Sequence, residues 1–219
     1  MRPSDPCLHD RAGFPLPTIV NPVTIDGYTQ PGTSMNSLAV GDNAVLRIQL
    51  NGTSAGGSGL TLGGLNGGST VRGLVINRFG SDFYDAGVFL DSGSNVVSGN
   101  FIGTDPTGQS ALPNLSGVRV ATGANSLVGG VVPAARNVIA GNNGQANTAI
   151  EPRFGSGQPA PTGTLIRGNY IGTNAAGTVA VETGPFPTRG VVVTLGTGSV
   201  IGGTDADDGP SMAMWERAT

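Results

Sequence analysis

Gly99-Asn100-Phe101-Ile102-Gly103-Thr104 returns as Gly168-Asn169-Tyr170-Ile171-Gly172-Thr173, and Ser126-Leu127-Val128-Gly129-Gly130 returns as Ser199-Val200-Ile201-Gly202-Gly203. A chain that repeats in this way builds one supersecondary unit several times and buries its apolar surface by stacking neighbouring units. The repetition points to a solenoid, a long regular surface on which no single repeat has to carry chemistry.

Working outward from these stretches, four segments open with Gly and then alternate: Gly59-Leu60-Thr61-Leu62, Gly87-Val88-Phe89-Leu90, Gly117-Val118-Arg119-Val120 and Gly190-Val191-Val192-Val193. Asn147-Thr148-Ala149-Ile150 is a degenerate copy. Most starts lie roughly 30 residues apart, and Pro-rich insertions lengthen the last interval. Each start is followed by a turn and a second apolar cluster, such as Val96-Val97 or Leu127-Val128, and several run on into Gly-Asn and a third. The period is too short for a crossover helix, so parallel strands must be reached by coiling. The expected fold is all-β, a single right-handed parallel β-helix (β-solenoid). Alternation places Leu60, Val88, Val118, Thr148 and Val191 in one inward column, and Leu62, Leu90, Val120, Ile150 and Val193 in the next. Asn100, Asn142 and Asn169 are expected at equivalent bends, with their amides bonded from coil to coil.

Composition agrees. The 38 glycines among 219 residues far exceed the ordinary ~7% and punctuate turns between short strands. Charged residues make up 11% of the chain, and all 11 basic residues are Arg. A net charge of -3 without a basic block removes the electrostatic footing for nucleic acid. No apolar run approaches a membrane span. The single Cys, Cys7, excludes an intrachain disulfide, and it sits beside the single His, His9, in an aperiodic stretch with no further ligands. Residues 1–14 read as an irregular leader without the apolar core of a signal peptide, residues 15–203 as the β-helix, and residues 204–219 as an irregular tail that resembles a truncated end. Neither terminal segment has strand alternation, so we expect poor end packing and end-to-end self-association.

The segments "VTIDGYTQPGTS", "STVRGLVINRFG", "GNFIGTDPTGQSALPN", "VGGVVPAARNVIAGN" and "GNYIGTNAAGT" resemble the repeats of bacterial right-handed parallel β-helix proteins of the pectin-lyase-like superfamily, from about Pro15 to Gly203. The resemblance implies a secreted or cell-surface protein. It also implies contact with polysaccharide, since the superfamily's enzymes act on acidic or neutral polysaccharides and many repeat-only members have no established activity.

Chemistry is sparse. From the alternation, Thr61, Phe89, Arg119, Ala149 and Val192 form one outward row, and Gly63, Asp91, Ala121, Glu151 and Thr194 its neighbour. Asp91 and Glu151 then lie two coils, about 9.6 Å, apart, near the upper end of the spacing used by inverting glycosidases. Arg119 stands diagonally between them, and Phe89 is placed to stack on a sugar. These four are the candidate site residues, Asp91, Arg119 and Glu151 for catalysis and Phe89 for binding. The competing reading makes Asp91 and Glu151 turn residues. Asp205, Asp207 and Asp208 suggest a calcium loop but lack the alternate ligands of an EF-hand, so no metal or other cofactor is assigned. Asp105 heads a type I turn that recurs with Asn174, which favours a structural role. The expected function is a non-catalytic, structural or glycan-contacting repeat segment. The alternative is a polysaccharide lyase or glycoside hydrolase.

Overall fold

An aliphatic residue at every second position of a short strand can bury one face only if the strand is stacked on others like it. The computed structural model shows that stacking. It describes residues 13–144, 146–153, 155–183 and 188–202, with the strand backbones at 8–11 and 213–214. Strand β1 (Leu8–Arg11) precedes the first coil, which holds β2 (Thr24–Asp26) and β3 (Ile48–Asn51). The second coil holds β4 (Leu60–Leu62), β5 (Thr70–Arg72) and β6 (Leu74–Asn77), and the third β7 (Val88–Leu90), β8 (Val96–Ser98) and β9 (Phe101–Ile102). The fourth holds β10 (Val118–Val120), β11 (Leu127–Gly129) and β12 (Val138–Ile139), and the fifth β13 (Ala146–Ile150), β14 (Leu165–Arg167) and β15 (Tyr170–Ile171). The sixth holds β16 (Arg189–Val193), β17 (Val200–Ile201) and β18 (Ala213–Met214). One strand of each kind stacks into each of three sheets, of five strands (β4 to β16), six (β2 to β17) and seven (β1 to β18), and every strand pairing is parallel. The chain is a parallel β-helix, and no α-helix occurs among the described residues.

The inward columns have the expected register. Leu62, Leu90, Val120, Ile150 and Val193 pair in sequence, as do Leu60, Val88, Val118, Thr148 and Val191. Leu90, Val120 and Ile150 are fully buried.

Two short strands fall within the segments read as an irregular leader and tail. Leu8–Arg11 pairs in parallel with β3, and Ala213–Met214 pairs with β15, so both extend the seven-stranded sheet. Short strands without alternation can still join an edge, because backbone pairing does not require a pattern of side chains.

The amide ladder exists with a different membership. Asn100 Nδ2 donates to Asn137 Oδ1 at 3.1 Å, and Asn137 Nδ2 to Asn169 Oδ1 at 2.8 Å. Each of these residues immediately precedes the strand of the seven-stranded sheet. Asn142 follows that strand and belongs to a second ladder at the next corner, Asn114 to Asn142 to Asn147. The dipeptide Gly-Asn is ambiguous because both corners need a left-handed glycine. Gly99 has φ +65°, Gly168 +62° and Gly141 +68°. A Cβ on Gly168 would also lie 2.1 Å from the carbonyl of Gly130.

The outer face of the seven-stranded sheet carries a second core. Val75, Phe101, Val138 and Tyr170 stack in register and are buried with Leu46 and Ala175 beneath the segment joining β2 to β3. Arg136, 4% exposed, holds that segment down by donating to the carbonyls of Leu38, Ala39 and Gly41 while stacking on Tyr170 at 4.6 Å. Gly41 N–H donates to Tyr170 Oη at 2.7 Å.

Asp42 lies in the same segment. Its Oδ1 accepts from Ala44 N–H at 2.9 Å, whereas its Oδ2 is buried without a donor among the described residues. Burial pushes its pKa up to about 6, against the pull of Arg136. A carboxyl whose folded pKa is raised binds a proton more tightly folded than unfolded. Its contribution to stability is complete below about pH 4 and is lost as pH rises through about 6. The melting temperature should therefore fall from about pH 4.5 to about pH 7.5. Asp42→Asn should flatten that fall and raise neutral-pH stability by roughly 1–2 kcal/mol. Equal pH slopes for variant and parent would refute this assignment.

Candidate functional site

The five-stranded sheet positions the sequence-predicted site. Phe89 pairs with Arg119, and Arg119 with Ala149, in the predicted outward row. The neighbouring row follows from the coil-to-coil bonds Asp91 N–H to Leu62 O, Ala121 N–H to Leu90 O and Glu151 N–H to Val120 O. Outward, however, does not mean exposed. Phe89 is 2% exposed and Arg119 0%, because two segments fold across this face.

The first cover is the connection from β6 to β7. Asp85 ties it into a tight turn. Its Oδ2 accepts from the backbone N–H of Ser81 at 2.9 Å and of Asp82 at 2.8 Å, and its Oδ1 accepts from the Ser58 hydroxyl at 3.1 Å. The turn presents Phe83 and Tyr84, whose rings meet edge to face at 5.0 Å. The second cover is the segment after β13, which begins with Glu151 and Arg153. The Arg119 guanidinium lies between the covers. It stacks on Tyr84 at 5.2 Å and donates from Nη1 to Glu151 Oε2 at 2.5 Å and from Nη2 to the Phe83 carbonyl at 3.4 Å. The Thr194 hydroxyl donates to the other Glu151 oxygen, Oε1, at 3.3 Å. Arg153 lies over both Phe89 at 4.9 Å and Tyr84 at 5.9 Å.

The covers leave an open groove of about 440 Å³ whose walls include Phe83, Tyr84, Glu151, Arg153, Gln158 and Leu195. A second cleft of about 420 Å³, between Gly80–Asp82, Leu115 and Gly144, lies on the other side of Phe83. Phe83, 51% exposed, is the ridge between them.

The structure thus brings Arg119 and Glu151 together and leaves Asp91 outside the groove lining. Burial raises the Asp91 pKa, with Arg153 opposing the rise. Phe89, expected as an exposed sugar platform, is instead covered by Arg153, and Phe83 takes the exposed position. The sequence signal for Phe83 was present: two adjacent aromatics, in a chain with few, inside a Ser/Asp/Gly-rich connection between repeats. Arg153 had no comparable signal. Among the described residues no group of three His, Cys, Asp or Glu is placed to hold a metal ion. Asp205, Asp207, Asp208 and Cys7 lie outside the described residues, as does the side chain of His9.

Comparisons with family models, curated proteins and solved structures returned no match to this chain.

Proposed function

We propose that the chain is a non-catalytic repeat segment of a bacterial cell-surface or secreted β-helix protein of the pectin-lyase-like kind, and that it contacts glycan through the groove on its five-stranded sheet. The observation that carries the proposal is Phe83. It is an exposed aromatic presented by the Asp85-tied turn between two clefts, with amide, hydroxyl and guanidinium groups alongside. A ring carried on a turn whose backbone is tied can stack on a sugar face without ordering a loop on binding.

The rival reading, a polysaccharide lyase or glycoside hydrolase, draws on Glu151 lining the groove. The geometry gives it limited support. Both Glu151 oxygens accept hydrogen bonds, Arg119 is buried and its charge is matched by Glu151, and Asp91 does not share the groove. A panel of neutral and acidic soluble polysaccharides, assayed for binding by affinity electrophoresis and for cleavage by reducing ends and unsaturated products, separates the two. We expect binding without cleavage, weakened about tenfold by Phe83→Ala, with the melting temperature unchanged because the ring is half exposed. Retarded migration that is indifferent to Phe83→Ala would move the contact elsewhere. Product release abolished by Glu151→Gln, in a variant that keeps the parent's circular dichroism at the assay temperature, would establish the rival.

A further inference from the structure

The two clefts that meet at Phe83 differ in charge. On one side, the turn from Gly80 to Asp85 carries two carboxylates. Asp85 is buried, and its oxygens accept from hydroxyls and backbone N–H groups, with no cation among the described residues. Asp82 is exposed and lines the cleft. Its Oδ1 accepts from Phe83 N–H at 2.7 Å, and it forms no ion pair among the described residues. The rest of that cleft is Gly80, Ser81, Leu115 and Gly144, so its lining offers no positive charge.

On the other side the balance is reversed. Glu151 is matched by Arg119 at 2.5 Å, so this pair adds no net charge to the groove. Arg153 is exposed and lies over the rings of Phe89 and Tyr84. It donates no hydrogen bond and forms no ion pair among the described residues. Asp91 is near enough to feel its charge, from a half-buried position outside the groove lining. A guanidinium lying over aromatic rings can still direct its N–H fork at a carboxylate.

We propose that this pair of clefts selects a linear acidic glycan whose charges are spaced, with an anionic sugar residue beside Arg153 and an uncharged one beside Asp82. The inference rests on the reading of this face as a glycan site with Phe83 as its platform. Phe83 borders both clefts, so a chain stacked on its ring places successive residues on opposite sides. A carboxylate in the groove meets the Arg153 fork. The same carboxylate in the other cleft meets Asp82, with Asp85 behind it, and like charges brought together at an interface reject the wrong ligand. A glycan charged at every residue must put a charge there. A neutral glycan escapes that repulsion but leaves Arg153 unmatched. Spaced charge satisfies both sides.

Affinity electrophoresis of the full chain tests this with two homopolyuronates, polygalacturonate and alginate. Each is used intact, partly reduced so that alcohols replace some of its carboxylates, and fully reduced to a neutral polymer. We expect a partly reduced polymer to bind about tenfold more tightly than its intact parent. Asp82→Asn keeps an acceptor for Phe83 N–H, so the turn persists. It should raise affinity for the intact polyuronate about fivefold and leave the neutral form unchanged. Arg153→Gln should bring the partly reduced polymer down to the affinity of the neutral form, and Arg153→Lys should retain part of the difference. Both positions are exposed, so each variant should melt with the parent. Added salt should narrow the gap between intact and partly reduced polymers. Intact polyuronate bound as tightly as the partly reduced form, or a preference that Asp82→Asn leaves in place, overturns the inference, while the glycan site stands if Phe83→Ala still weakens binding. No polysaccharide retarded, or retardation indifferent to Phe83→Ala, removes the glycan site itself and the inference with it.

Discussion

Val120→Asp is expected to abolish the fold at room temperature, with loss of the strand signal in circular dichroism and rapid proteolysis between β7 and β13. Val120 is fully buried between Leu90 and Ile150 in register on neighbouring coils, and a carboxylate there meets only aliphatic side chains. Burying an unpaired charge costs several kcal/mol even after relaxation, against a net stability of about 5–15 kcal/mol for a typical domain. Val193→Asp is the matched control, in the same column and row but 47% exposed, and it should leave the fold intact. A folded Val120→Asp protein would show that the column is wet or mobile and not a dry core.

Glu151→Ala is expected to destabilise the protein by about 3–5 kcal/mol in urea unfolding, the cost of leaving a buried ion without its partner. The Arg119 side chain is 0% exposed, and its Nε has no acceptor among the described residues, so loss of the Glu151 carboxylate leaves Nη1 unmatched as well. Adding Arg119→Met to Glu151→Ala should recover most of the loss, because removing both charges also removes the desolvation penalty. Recovery would mark the pair as an element that holds the two cover segments to the sheet. A double variant as unstable as the single one would show that Arg119 stabilises by packing under Tyr84 and not through its charge.

Both predictions turn on a distinction that the residues only half disclose. The alternation Leu60-Thr61-Leu62, Val88-Phe89-Leu90 and Val118-Arg119-Val120 settles which side chains point inward, because side-chain direction in a strand is a local consequence of the pleat. The repeats GNFIGT and GNYIGT settle the coil register, because only glycine tolerates both the left-handed backbone and the close approach of the next coil at that corner. The three-sheet parallel β-helix, its aliphatic columns and the presence of amide ladders all follow from those local rules. Which outward faces remain in water does not follow. Phe89 and Arg119 are outward yet buried because the Asp85 turn and the segment after β13 cross them, and Tyr170 is outward yet buried because Arg136 fastens the segment joining β2 to β3 over it. These covers are irregular insertions, and where each one lands depends on contacts between residues far apart in the chain, such as Arg136 with Gly41 and Arg119 with Phe83. The same long-range reason separates Asn137 from Asn142. Asn137 follows Arg136 and Asn142 follows the left-handed Gly141, on opposite sides of β12, and the partner on the adjacent coil shows which ladder each joins. The sequence by itself determined the coil, because pleat and turn sterics act between neighbours. The tertiary structure alone decided that Phe83, and not Phe89, stands in the groove and that Arg119 is a buried tie, because those outcomes depend on which distant segment covers the face.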